Sequence, residues 1–150
     1  LVFLESCPVP FSVVYKKEVS NVILLKQVFK ALHAIAIDRE DIKQSLRVIN
    51  QMTDEVKQGR NFLIFPEGTR VHEGESVEGK SGAALFATRT GTPLVPVYVS
   101  RKKYWFRPSP VIIGTPIYPE IAGRKATAEE LERITENLMA EIYRLGEGLE

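Results

Sequence analysis

The sequence predicts an α/β fold, a single domain with a largely parallel sheet and helices on both faces. Two observations predict it. The first is a series of short runs of aliphatic and aromatic residues, which are typical of strands. The second is that these runs alternate with longer segments whose apolar residues recur every three or four positions, as in helices. The resulting order is β-α-β-α-β-α-β-β-α, and strands joined by crossover helices pair in parallel. Because ligands of such sheets bind outside the carboxyl ends of the strands, we expect the functional site there.

The first half of the chain supplies three strands and two helices. The strands are predicted at 11–16 (FSVVYK), 34–38 (AIAID) and 61–65 (NFLIF). A wide apolar face predicts a helix from Ser20 to about Leu32. A second helix begins at Asp41, with Gln44 at the reciprocal capping position, and Gly59 stands where a left-handed C-cap ends it. The apolar positions of this second helix are Ile42, Leu46, Ile49, Met52 and Val56.

The second half adds a short helix, two strands and a long final helix. The short helix and the strands are predicted at 81–90, 94–99 and 111–113. Pro96 has no N–H to donate, so it must lie at a sheet edge or a bulge. Thr127 and Glu130 form a capping box that starts the last helix. The apolar face of that helix consists of Leu131, Ile134, Leu138, Ile142 and Leu145.

Composition and charge argue against several classes of protein. The 150 residues contain 20 Lys and Arg against 19 Asp and Glu, a net charge of +1, whereas a general nucleic-acid binder is usually markedly basic. One cysteine and two histidines leave no Cys/His zinc cluster, so no metal is expected. No apolar run approaches the roughly 20 residues of a spanning helix. The chain starts at Leu1, inside an apolar segment, so we expect 1–150 to be an N-terminally truncated domain.

The segment FPEGTR (65–70) carries the strongest local signal for a binding site. It follows the strand 61–65, where an α/β sheet binds its ligands. Gly68 allows a ligand to approach the backbone, and the planar guanidinium of Arg70 suits a phosphate. The alternative interpretation is an ordinary turn with a surface ion pair.

Two further cations occupy comparable positions. Arg39 directly follows the strand 34–38, and Lys80 precedes the start of the helix 81–90, where free N–H groups favour an anion. Each cation taken alone is more often a solvated surface charge. Their joint placement with Arg70 at one edge of a sheet predicts a phosphate pocket.

Five segments together resemble the glycerolipid acyltransferase family, and within it the 1-acylglycerol-3-phosphate acyltransferases. They are FPEGTR (65–70), KSGAA (80–84), VPV (95–97), AIAIDR (34–39) and GTPI (114–117). The segment 34–39 is similar to the family's second motif, with two departures. His33 stands where the family commonly has Gly, and Ala36 stands where Pro is common.

The resemblance implies a phosphorylated glycerolipid as the acyl acceptor. Arg39 and Arg70 would bind its phosphate, assisted by Lys80 and Lys17. The acceptor site would be shaped by Glu67, Gly68 and Thr69, and Pro96 would lie near the acyl donor. The donor would be a thioester, either acyl-CoA or acyl carrier protein, which is a substrate, so no cofactor is expected.

The reaction of this family needs a His and an Asp separated by four residues, with the His as general base and the Asp orienting it. The resemblance places this pair just upstream of Leu1, so we expect the 150 residues alone to be inactive. His33 and Asp38 show the same spacing, but residues five apart in a strand lie on opposite faces, roughly 16 Å apart. We interpret that pair as coincidental, and His33 as a helix-end residue. His72 is interpreted as a loop histidine, and Cys7 as a loop cysteine with no paired base.

The segment 101–107 (RKKYWFR) interleaves cations with aromatic rings, which suits an anionic bilayer surface. The alternative is an ordinary basic loop whose rings face inward. The same residues could bind single-stranded nucleic acid, but nothing else in the sequence supports that function. Together with the resemblance, this segment predicts a membrane-associated protein at the cytoplasmic face. Two other functions remain open: a non-catalytic phospholipid-binding module, and a different small α/β enzyme that shares only the turn.

Overall fold

The structure, a computed structural model, describes residues 9–16, 27, 30, 32–37, 42–68, 77–100 and 110–149. They fall into two compact units that divide between Phe65 and Pro66. Within these ranges the first unit holds a parallel sheet, and the second holds an antiparallel pair of strands with two helices.

The first unit is built on three parallel strands. Its elements are β1 (Phe11–Lys16), β2 (Ile35–Ile37), α1 (Ile42–Lys57) and β3 (Asn61–Leu63). The strand order is β2-β1-β3, with Val14 opposite Ile35 and Phe11 opposite Asn61. Because all three strands run the same way, their carboxyl ends share one edge of the sheet and their amino ends share the other.

One arginine ties the amino ends of these strands together. The Nη1 of Arg60, which directly precedes β3, lies 3.0 Å from Nδ1 of His33 and 3.4 Å from Oγ of Ser12. Its Nε lies 3.0 Å from a carboxylate oxygen of Glu55 in the last turns of α1. Ser12 is fully buried in β1, so its hydroxyl gains a partner that water cannot supply.

The helix α1 ends where the sequence predicts. Gly59 has φ +86°, the left-handed conformation that glycine adopts at low cost, and it follows the last helical turn. Val48 and Met52 are buried, whereas Leu46 is 42% exposed, so the buried stripe is narrower than the predicted apolar face. The predicted N-cap, Asp41, lies outside the described residues.

The second unit consists of α2 (Gly82–Thr90), β4 (Val97–Val99), β5 (Val111–Ile113) and α3 (Ala128–Gly146). The two strands are antiparallel, with Val97 opposite Ile113. The predicted strand 94–99 is interrupted: Leu94 pairs with Ile117 only as an isolated bridge. The reason is Pro96, which is fully buried and offers only its carbonyl, an acceptor for the N–H of Gly114 at 2.9 Å.

The helix α3 begins with the predicted capping box. Oγ1 of Thr127 accepts from the N–H of Glu130, and the Glu130 carboxylate accepts from the N–H of Thr127. Ile134 and Leu138 of its apolar face are buried. Near its carboxyl end the backbone of Gly146 lies against the Tyr98 ring, so closely that a Cβ would overlap it.

The predicted α/β class with a largely parallel sheet is confirmed. The strand predicted at 61–65 is shorter in the structure, at Asn61–Leu63. The strand predicted at 34–38 is seen as Ile35–Ile37, and Asp38 lies outside the described residues. Most of the helix predicted over 20–32 lies outside the described residues, although Gln27 and Lys30 are helical. The assignment of 1–150 as one acyltransferase domain stays a prediction.

Candidate functional site

In the second unit the structure brings three of the predicted site residues together. The N–H of Lys80 donates to the carbonyl of Pro66 at 2.8 Å, which holds the residues 66–68 beside the start of α2. Gly68 adopts φ +65°, so a side chain at this position would strain the turn. Glu67 and Gly68 are half-buried and Lys80 is exposed. The backbone of Lys80 therefore lies next to the turn that carries Glu67 and the left-handed Gly68.

The start of α2 is suited to an anion. Ser81 occupies the N-cap position, but its side chain makes no capping hydrogen bond to the helix. The first turn contains no acidic residue. Unsatisfied N–H groups and the positive end of the helix dipole attract negative charge, and Lys80 adds a full positive charge next to them.

The segment before Lys80 is fastened to α3 by contacts that the sequence does not suggest. The phenolic oxygen of Tyr143 accepts from the N–H of Val77 at 3.0 Å, and its O–H donates to the Val77 carbonyl at 3.4 Å. A Cβ on Gly79 would lie 2.6 Å from Cγ of Met139 and 2.8 Å from Cγ2 of Thr135. Only the glycine before Lys80 hints at this close approach in the sequence.

Several predicted residues lie outside the described part of the chain, and their roles stay predictions. These are Arg39, Thr69 and Arg70 of the phosphate and acceptor site, Lys17, and the residues Cys7, Asp38 and His72. The basic aromatic segment 101–107 also lies outside it. Pro96 is described and buried, and nothing tests its assignment to the donor side.

His33 occupies a left-handed turn at the amino end of β2. Its φ is +48°, and its N–H donates to the carbonyl of Lys30 at 3.2 Å. This conformation explains why glycine suits the position, and it fits the predicted helix-end role. The ring nitrogen Nδ1 faces Arg60, at the opposite edge of the sheet from the carboxyl ends where ligands bind.

A shallow groove of about 690 Å³ opens beside β2 and α1 in the first unit. Its polar lining includes Lys30, His33, Glu55 and Arg60, and Arg60 already bonds to both His33 and Glu55. The groove therefore belongs to the amino-end network. Of the predicted acceptor residues that the structure describes, Glu67, Gly68 and Lys80, none lines this groove.

A metal centre or a bilayer span would need particular groups among the described residues. Among them, no three His, Cys, Asp or Glu side chains converge to hold a metal ion. Within the same ranges, no helix has both the length and the apolar character needed to cross a bilayer.

Comparison with known proteins identifies relatives. A sequence profile of the Acyltransferase family matches residues 1–100. The chain is 32% identical over 140 residues to the 1-acyl-sn-glycerol-3-phosphate acyltransferase of Pseudomonas aeruginosa, covering 87% of this chain and 54% of that protein. It is 24% identical over 149 residues to the enzyme of the same name from Borreliella burgdorferi, covering 96% of this chain and 60% of that protein. The chain thus spans little more than half the length of these relatives.

A solved structure resembles the chain as well. The crystal structure of the 1-acyl-sn-glycerophosphate (LPA) acyltransferase PlsC from Thermotoga maritima matches with a TM-score of 0.61 at 20% identity. The match covers 92% of this chain and 57% of that one. At this identity the likeness shows a shared fold.

Proposed function

The chain belongs to the Acyltransferase family, and from this premise we propose that its protein transfers a fatty acyl group to a 1-acylglycerol 3-phosphate, a step of phospholipid synthesis. The shared name of the bacterial relatives supports this acceptor. The observation that carries the proposal is the hydrogen bond from the N–H of Lys80 to the carbonyl of Pro66. It keeps Lys80 and the start of α2 beside Glu67 and Gly68.

A phosphate suits this place for electrostatic reasons. The exposed ammonium of Lys80 and the uncapped start of α2 both favour negative charge. Arg70 follows Gly68 by two residues and offers a planar fork for a phosphate. Arg39 is assigned to the same phosphate by the family resemblance alone. Glu67, Gly68 and Thr69 shape the rest of the acceptor site in this proposal.

The acyl transfer needs a general base. The base takes the proton of the acceptor hydroxyl, whose oxygen attacks the thioester carbonyl. The new C–O bond forms as the C–S bond breaks, and the thiol leaves with a proton. We assign the base to a His-x4-Asp pair that precedes Leu1 in the complete protein, and the relatives are long enough to hold such a segment. Residues 1–150 alone would then bind the acceptor without catalysis.

The donor in this proposal is acyl-CoA or acyl carrier protein, which serves as substrate, and no cofactor takes part. We place the protein on a membrane at its cytoplasmic face, because the acceptor is itself a membrane lipid. The four cations and three aromatic residues of 101–107 suit an anionic lipid surface.

The test compares two lipids that differ only in the phosphate: a lysophosphatidate and the monoacylglycerol with the same acyl chain. Binding is measured by calorimetry for the protein expressed from its complete reading frame and for the 150-residue chain. Thiol release from acyl-CoA is followed in parallel with a thiol reagent. We expect both proteins to prefer the phosphorylated lipid, and the complete protein to release thiol only when that acceptor is present.

Two outcomes would overturn the proposal in different ways. Equal affinity for the two lipids would remove the phosphate site. Phosphate-dependent binding without thiol release by the complete protein would make it a phospholipid-binding module.

A further inference from the structure

Two attachments in the second unit hold residues 77–80 in place. One attachment is the hydrogen bond from the N–H of Lys80 to the carbonyl of Pro66, which brings residues 66 and 80 together. The other attachment is Tyr143 of α3, which bonds both backbone groups of Val77. Residues 77–80 thus connect α3 to the turn that carries Glu67 and Gly68.

The contacts with α3 follow one direction along that helix. Val77 meets Tyr143, and Gly79 meets Met139 and Thr135, which lie one and two helical turns earlier. The hydroxyl of Thr135 donates to the carbonyl of Leu131 at 2.7 Å, so its methyl group is held toward the glycine. The backbone at 77–79 is therefore seated along the helix, with no room for a side chain at position 79.

The hydroxyl of Tyr143 makes hydrogen bonds that the ring alone cannot make. It accepts a hydrogen bond from the N–H of Val77 and donates one to the carbonyl of the same residue. A phenylalanine would keep the packing of the half-buried ring but would leave both backbone groups of Val77 to water. The loop would then lose its attachment while the helix kept its fold.

We propose that Tyr143 is a positioning residue for the acceptor site. By fixing Val77 it holds Lys80 against Pro66 and so sets the geometry in which the acceptor phosphate binds. The inference rests on the proposed function, since it assigns a phosphate ligand to this turn. Tyr143 lies beyond residues 1–100, the part that the family profile matches, so the family match does not point to it.

The test uses Tyr143→Phe in the protein expressed from its complete reading frame. Tyr118→Phe is the matched control, because Tyr118 is 71% exposed in the same unit. Initial rates are measured with lysophosphatidate varied and then with acyl-CoA varied. We expect Tyr143→Phe to raise KM for lysophosphatidate by roughly 3- to 10-fold, the size of one or two partly solvated hydrogen bonds. The kcat and the KM for acyl-CoA should stay within about 2-fold of those of the unmodified protein. The control should leave kcat and both KM values unchanged.

A purely structural role would give a different pattern. Partial unfolding lowers the amount of active enzyme, which reduces the apparent kcat and leaves KM unchanged. A second variant, Gly79→Ala, keeps Tyr143 and displaces the same backbone from Met139 and Thr135. We expect it to raise KM for lysophosphatidate in the same way.

Unchanged KM for lysophosphatidate in both variants would overturn the inference, as would a fall in kcat alone. Failure of the proposed function shows itself separately in the unmodified protein. If the unmodified protein binds lysophosphatidate and monoacylglycerol equally well, the turn with Glu67 and Gly68 does not bind a phosphate. That result does not depend on the role of Tyr143.

Discussion

The guanidinium of Arg60 donates to Nδ1 of His33 at 3.0 Å, which joins the residue before β3 to the turn before β2. A guanidinium has only donors, so Nδ1 of His33 is the acceptor and the proton of the neutral ring lies on Nε2. This contact gives His33 a structural partner at the amino edge of the sheet. The sequence predicts the phosphate site at the carboxyl ends of the strands instead.

Arg60→Ala should destabilise the protein without changing acceptor binding. The variant loses the bonds to His33, Glu55 and the buried hydroxyl of Ser12, and we expect a cost of about 1–3 kcal/mol in the free energy of unfolding. Urea denaturation followed by circular dichroism measures it. Arg47→Ala on the exposed side of α1 serves as control and should change stability by less than about 0.5 kcal/mol. Equal effects of the two substitutions would contradict the network.

His33→Gly and His33→Ala should differ in stability. Alanine loses the bond to Arg60 and keeps the strain of φ +48°, so it should cost about 1–2 kcal/mol. Glycine loses the same bond but adopts this φ freely, so the two effects nearly cancel. Urea denaturation separates the variants, and glycine as destabilising as alanine would count against the strain. In the complete protein, both variants should retain the proposed acyltransferase activity. Loss of activity by folded variants would make the His33–Asp38 pair catalytic.

Acid should weaken the start of α3 through Glu130. The N–H of Ala122 at 2.7 Å and the N–H of Thr127 at 2.8 Å lower the pKa of this carboxyl below its ordinary value of 4.5. Because the folded pKa is the lower one, the stabilisation is complete above pH 4.5 and disappears as the pH falls through the folded pKa. Thermal midpoints of the unmodified protein and of Glu130→Gln should therefore converge in acid.

The control for that series is Glu129→Gln, which neutralises the neighbouring exposed carboxylate in the same helical turn. It leaves in place the carboxylate that accepts from the N–H groups of Ala122 and Thr127, so the convergence in acid is expected for Glu130→Gln. A constant gap between the unmodified protein and Glu130→Gln at every pH would show that the capping carboxylate does not titrate as described.

Arg70→Ala should weaken binding of the phosphorylated acceptor. Loss of charged hydrogen bonds to a phosphate costs about 1.5–3 kcal/mol, or roughly 10- to 100-fold in Kd. Binding of the monoacylglycerol should not change, so calorimetry should show a reduced ratio between the two lipids. Arg124→Ala removes an exposed arginine elsewhere in the second unit and is the control. An unaltered ratio in Arg70→Ala would exclude Arg70 from the phosphate site.

The sequence by itself determined several helix ends and the family. The capping box of Thr127 and Glu130, the left-handed Gly59 and the short helix ending at Gly91 all appear where predicted. These features are bonds or conformations within three or four residues, so a short window of sequence contains everything that decides them. The motif FPEGTR likewise identified the family from adjacent residues.

Only the tertiary structure decided which distant residues meet. His33 and Arg60 are separated by 27 positions, and Val77 and Tyr143 by 66. Such pairs leave no periodic pattern, because their meeting depends on strand order and helix placement and not on local propensity. Leu46 is an opposite case: its spacing in the sequence predicts burial, but the packing of the fold leaves it 42% exposed. Each such contact contributes only about 1 kcal/mol, so it forms because the fold brings the two residues together, and the sequence alone does not predict it.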